Sequence, residues 1–94
     1  MANYNKVTAL SLLKLRLDRL QEDTSRDDVL GARLDESAEE LEAIGIALQD
    51  TQRDLMLIVD YAAWKYQNRD KPGEMPQWLK RERFERWLES GVAG

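Results

Sequence analysis

The chain has 94 residues, a net charge of −4, and neither cysteine nor histidine. That length suits one domain with a modest core. The missing residue types exclude a disulfide framework, thiolate and imidazole metal ligands, and the commonest general base.

No run approaches the roughly 18 apolar residues of a membrane span, and the stretch Met1 to Lys6 is too polar for a signal peptide. A soluble chain made in the cytoplasm is therefore expected, with no membrane partner. Charge is unevenly placed. Residues 1–20 carry four bases and one acid, residues 21–60 three bases and twelve acids, and residues 61–94 seven bases and five acids. The blocks are thus +3, −9 and +2. An acidic middle between basic ends favours head-to-tail association of like subunits.

Residues 1–6 read as a flexible polar arm. Leu10, Leu13, Leu17 and Leu20 then recur at helical spacing, with Leu12 beside them, and Asn5 or Thr8 can cap the helix. Leu15 widens this face and implies more than one neighbour. Gln21 to Thr24 form a polar break. Ser25 with Asp28 has capping-box spacing and opens a second helix, in which Asp27 and Asp28 suit the positive end of the dipole. Its apolar stripe is Leu30, Leu34, Ser37 or Ala38, Leu41 and Ile44. Gly31 allows close packing, and Gly45 is a stop signal.

Ile46 to Asp50 carries no clear pattern. Thr51 with Asp54 repeats the capping spacing and opens a central helix over Arg53–Asn68, about 24 Å long. Leu55, Ile58, Val59, Ala62 and Tyr66 share one face, widened by Met56, Leu57 and Ala63. Tyr61 and Trp64 also read as core or core edge. Asp70 to Pro76 is a turn with two strong breakers, and Pro76 suits the first turn of a last helix. That helix runs from Gln77 to about Glu89, with residues 90–94 as a tail. The expected fold is a single all-α domain over residues 1–94. It is a small bundle of about four helices, with a long central apolar helix and a charged, aromatic C-terminal one.

No catalytic constellation emerges, so the chain is not read as an enzyme. The carboxylates crowd a solvated face rather than a cleft that could separate two pKa values. No EF-hand spacing and no phosphate-cradling glycine loop occurs, so neither a metal nor a cofactor is expected. Lys80, Arg81, Arg83 and Arg86 alternate with Trp78, Phe84 and Trp87, as in some nucleic-acid binders. However, Glu82, Glu85 and Glu89 reduce the helix to +1, and phosphate binding rests on unopposed positive charge. Glu82 and Arg86 have the spacing of a stabilising i,i+4 pair. The rings of Trp78, Phe84 and Trp87 with Leu88 exceed what so small a core absorbs. Together with Arg81 they read as a partner surface.

This order of elements resembles the head-tail connector (head completion, or adaptor) proteins of tailed bacteriophages. A leucine-rich helix and an acidic helix precede a central apolar helix, which ends in the Lys-Tyr-x-x-Arg pattern Lys65-Tyr66-Gln67-Asn68-Arg69. A turn and a last helix follow. The resemblance covers residues 7–89. The short 70–76 turn and the presence of Trp87 depart from the family pattern. The resemblance implies a structural neck protein of the virion, assembled as a ring, typically a dodecamer, beneath the portal protein. Such a ring extends the DNA channel after packaging, passes DNA without sequence-specific binding, and docks the tail or a second neck protein. Lys65, Tyr66 and Arg69 would join the partner interface. The −9 charge of the middle block further suggests that Glu36, Glu39 and Glu40 line the channel, where like charge keeps DNA from sticking. The alternative is a small helical regulatory or adaptor module, such as a phage antitoxin or transcription regulator.

Overall fold

The structure is a computed structural model that describes residues 4–68 and 73–93. Within these, all regular structure is helical: α1 (Lys6–Arg16), α2 (Asp27–Ala43), α3 (Gln52–Gln67) and α4 (Gln77–Ala93). The all-α expectation holds. The central helix is not the long one, because α3 has 16 residues against 17 in α2 and in α4.

The helix ends follow from local chemistry. Asn5 rather than Thr8 caps α1, its side chain accepting from the Thr8 amide at 3.1 Å. The start of the chain is less free than expected. Tyr4 and Lys6 donate to the two Asp35 carboxylate oxygens at 2.6 and 2.7 Å, which ties residues 4–6 to α2. Residues 1–3 lie outside the described residues. At its other end α1 stops at Arg16, four residues short of Leu20. Asp18 takes a left-handed φ of 57°. The Asp18 and Arg19 amides then double back to the Leu15 and Lys14 carbonyls at 3.2 and 2.8 Å. This Schellman closure uses aspartate where glycine is usual, so no glycine marks it in the sequence. Leu13 is buried and Leu10, Leu12 and Leu17 pack against the core, but Leu15 and Leu20 are left exposed, so the leucine face is covered only in part.

The second helix also starts differently from expectation. Asp23, not Asp28, engages Ser25, accepting from its amide at 3.0 Å and its hydroxyl at 2.6 Å. The helix begins at Asp27 behind Arg26 without a side-chain cap. Its stop is the expected Gly45, at φ 107°. The Gly45 and Ile46 amides return to Glu42 and Leu41, and buried Ile46 and Leu41 provide the apolar contact that accompanies this motif. Ile44, expected in the buried stripe, is half exposed at the cap. Gly31 is buried and allows the close approach expected of it: a Cβ there would meet the Lys6 Cε at 3.3 Å. Thr51 caps α3 by accepting from the Asp54 amide at 3.2 Å.

Ala9 and Leu13 of α1, Leu30, Leu34 and Leu41 of α2, and Leu57, Ile58, Val59 and Ala62 of α3 form one core. Burying a leucine or isoleucine side chain stabilises a fold by roughly 1.5–3 kcal/mol, so these three helices hold most of the stability. Ion pairs align their ends. Lys14–Asp27 and Lys6–Asp35 set α1 antiparallel to α2, and Arg16–Asp60 lies alongside α3. The acidic middle block is thus partly neutralised by the basic ends of the same chain. The Cα trace measures 41 × 28 × 18 Å, about two helix layers thick, since packed axes lie roughly 10 Å apart. Every helix therefore keeps an outward face.

Candidate functional site

Helix α4 carries the aromatic residues singled out above. It lies antiparallel to α3. The Trp64 indole near the end of α3 donates to the Glu74 carbonyl, just before α4, at 3.3 Å, and Arg86 reaches Asp54 at the start of α3. Pro76 precedes the first turn, and its carbonyl accepts from the Leu79 and Lys80 amides, both at 3.0 Å. Among the residues of α4 whose side chains are described, Leu79 joins the apolar core. Trp78 stays half exposed with the Arg16 guanidinium 5.3 Å from its ring centroid, a cation–π contact between α1 and α4. Arg83 approaches the Tyr61 hydroxyl from the same side as Leu79. The helix continues through Ser90 and Gly91 to Ala93, so the sequence signal for an earlier stop is not used.

What holds the far half of α4 is polar. Asp54 is 1% exposed. Its two carboxylate oxygens accept from Arg86 Nε at 2.6 Å and Nη2 at 2.9 Å, a bidentate pair. Asp54 also accepts from the Gln49 amide at 2.7 Å. Arg86 donates further to the Ala47 carbonyl and the Ser90 hydroxyl, both at 2.6 Å, and that hydroxyl accepts from the Ala47 amide. The hydrogen bond from Arg86 to Asp54 is the main cause that pushes the guanidinium pKa above its ordinary value. This network connects α4, the 46–51 connector and the first turn of α3. The Glu82–Arg86 pair expected from spacing does not form, because Arg86 is committed to Asp54.

With Leu79, Arg83, Arg86 and Ser90 turned inward, the opposite side of α4 faces out. At 100° per residue, positions within about 60° of Phe84 are Gln77, Lys80, Arg81, Trp87, Leu88 and Gly91. Phe84 is 56% exposed, and Trp87 and Leu88 are each 42% exposed. The Phe84 and Trp87 rings stack, with centroids 5.9 Å apart and planes at 26°. Ile44, at the end of α2, extends the apolar surface. It lines a groove of about 430 Å³ with Lys80, Arg83, Phe84 and Trp87. Gly45 makes this junction possible: a Cβ there would sit 3.2 Å from the Trp87 indole nitrogen.

Charge on α4 is segregated in the same way. The acids lie off the aromatic face. Glu82 faces Asp60 of α3, Glu89 pairs with Arg53, and Glu85 sits about 100° from Phe84 on that same flank. The near-neutral net charge of this helix therefore conceals a face whose only charged residues are Lys80 and Arg81, with Arg83 at its edge.

The predicted interface residues separate into two groups. Trp78, Arg81, Phe84, Trp87 and Leu88 are all at the surface, and the last three share one face. Lys65 and Tyr66 belong to the bundle instead, which corrects the expectation that they face a partner. Lys65 pairs with Glu36 at 2.9 Å and Glu40 at 2.7 Å. Burial works against its charge, but the two carboxylates still raise its pKa. Tyr66 is buried, its hydroxyl accepts from Arg19 Nη2 at 3.0 Å, and that guanidinium lies 5.8 Å from the ring centroid. The Lys-Tyr pattern thus closes the bundle rather than presenting a surface. Arg69 lies outside the described residues. Among the expected channel acids, Glu39 is exposed, while Glu36 and Glu40 converge on Lys65, so this ridge carries less unopposed charge than its sequence suggests.

The sequence places Arg86 among the surface charges and Ile44 in the buried stripe, and the structure differs on both. Only a pairing across 32 residues reveals the first. The second was signalled by its position beside the Gly45 stop. Among the described residues no three carboxylates converge as metal ligands, and no helix is long and apolar enough to cross a membrane. The site offers an apolar, basic-edged surface for binding. Comparison with protein-family models, curated proteins and solved structures finds no match to this chain.

Proposed function

We propose that this protein is a non-enzymatic assembly subunit that docks a protein partner through the outward face of α4. The observation that carries this reading is the placement of Phe84, Trp87 and Leu88, with Ile44, on one exposed face while the core beneath is complete without them. Tryptophan and phenylalanine flanked by arginine are the usual anchors of interfaces. A stable fold that leaves such rings in water incurs a cost in solubility, which a partner relieves by covering them.

On the sequence resemblance, the setting is the neck of a tailed bacteriophage virion. There the subunit assembles in a ring beneath the portal, extends the DNA channel after packaging, and offers α4 to the tail or the next neck protein. Its role is mechanical. It contributes rigid helical surface, and DNA passes without being read.

The test is cryo-electron microscopy of the purified protein mixed with portal-bearing capsids, using wild type and the double variant Phe84→Ala/Trp87→Ala. A ring beneath the portal with wild type, and loss of docking in a variant that keeps its helical circular dichroism, supports the proposal. A stable free dimer that leaves capsids bare would overturn the neck assignment in favour of the small regulatory module. Global unfolding of the double variant would show that the two rings are structural.

A further inference from the structure

From the placement of charge around the α4 rings, we infer that the docking face takes an acidic protein segment with an apolar anchor, seated in the groove between the end of α2 and α4. This rests on the reading of α4 as a docking face and adds the chemistry of its occupant. The groove is lined by the apolar side chains of Ile44, Phe84 and Trp87 together with the cations Lys80 and Arg83. An aromatic or leucine side chain suits that apolar lining. Arg81 lies on the other side of Phe84, so cations flank the rings on both sides.

Most acids of α4 lie away from the groove cations. Glu89 is paired with Arg53 and Glu82 lies towards Asp60. Glu85 sits one turn on from Arg81 but about 140° round the helix from Lys80, on the side away from the groove. Lys80 is 4.0 Å from the nearly fully exposed Glu74, too distant and too solvated to neutralise it. A partner carboxylate beside the groove therefore meets positive charge without displacing a strong pair, whereas a basic partner meets repulsion.

The same surface is a poor match for nucleic acid. Phe84 and Trp87 stack on each other, so each has one ring face already occupied. Three cations on a chain of net charge −4 give a weak field for a phosphate backbone. Ile44 and Leu88 add aliphatic surface that suits a side chain better than a base.

Selection from a random library of roughly twelve-residue peptides, each about 18 Å long as a helix, tests the inference. Wild type, Phe84→Ala/Trp87→Ala and Lys80→Glu/Arg81→Glu serve as parallel baits. Wild type is expected to enrich peptides with an aromatic or leucine anchor flanked by two or more acids. Those peptides should bind the charge-reversed variant at least about tenfold more weakly, an effect that shrinks with salt. They should also shift the Trp87 indole resonance. Enrichment of neutral or basic peptides that still depend on Phe84 and Trp87 would overturn the acidic occupant and leave the docking face standing. Enrichment of the same peptides by wild type and the ring-deleted variant, or no enrichment, would remove the docking face itself. Tighter binding of a single-stranded oligonucleotide than of any selected peptide, at the same residues, would replace the occupant with nucleic acid.

Discussion

Helices α1–α3 and helix α4 are joined to the molecule by different physics. The first three interdigitate leucine, isoleucine, valine and alanine around α3, and their ion pairs decorate the edges. Among its described residues the fourth buries one leucine, Leu79, and is held besides by directed contacts: the Arg86–Asp54–Ser90 network, the Arg16–Trp78 stack and Arg83 against Tyr61. Apolar burial is tolerant of angle and gives the bundle its stability. A bidentate ion pair is demanding in geometry, so it fixes the position and rotation of α4 without consuming its rings. Polar latching is what frees the aromatic residues for the outside.

Four substitutions sharpen or break that contrast. The largest effect belongs to the bundle. Leu34→Ala, at a fully buried position, is expected to cost about 3–5 kcal/mol and to unfold all four helices together in urea. Loss confined to α2 would mean that the bundle is not one cooperative unit.

Arg86→Ala comes next. It leaves a buried carboxylate without its cation, which costs about 3 kcal/mol. The loss should be local: amide exchange across α4 accelerates, while Leu13, Leu34 and Ile58 keep their protection. Equal loss of protection in α1–α3 would mean that α4 is part of the same core. Gly45→Ala forces a side chain into a positive-φ position against the Trp87 indole. We expect about 1–2 kcal/mol of destabilisation and a change in Trp87 environment seen by nuclear magnetic resonance. An unchanged indole would show that the α2–α4 junction can slide.

The smallest effect has the opposite sign. Burial raises the Asp60 pKa above its ordinary value, Glu82 adds to this, and Arg16 opposes it. A carboxyl whose folded-state pKa lies above the unfolded one favours folding when protonated. That contribution is complete below the unfolded value and is lost as pH rises through the folded value. Asp60→Asn should therefore stabilise the protein at neutral pH by about 0.5 kcal/mol and flatten the pH dependence of thermal unfolding on its acidic side. Destabilisation would show that the Arg16–Asp60 pair outweighs the cost of burying the carboxylate.

The sequence was informative where structure is local and periodic. Leu13, Leu34, Leu41 and Ile58 repeat at helical spacing and are buried. Thr51 and Gly45 mark helix ends by their own conformational chemistry. The sequence misled where two local solutions compete. Ser25 could pair with Asp28 or Asp23, and the nearer carboxylate prevailed. Asp18 closes α1 in a conformation usually reserved for glycine.

By itself the sequence determined an all-helical chain, its four apolar segments and the surplus of rings near its end, because periodicity and composition act within a few turns. Tertiary structure alone decided which side of α4 faces out. Phe84, Trp87 and Leu88 form a stripe that could equally have been buried. The α4 register that lets Arg86 reach Asp54 across 32 residues turns Leu79 inward and the rings outward. An ion pair between distant residues leaves no period in a sequence, so the rotation of the last helix, and with it the docking face, is legible only in three dimensions.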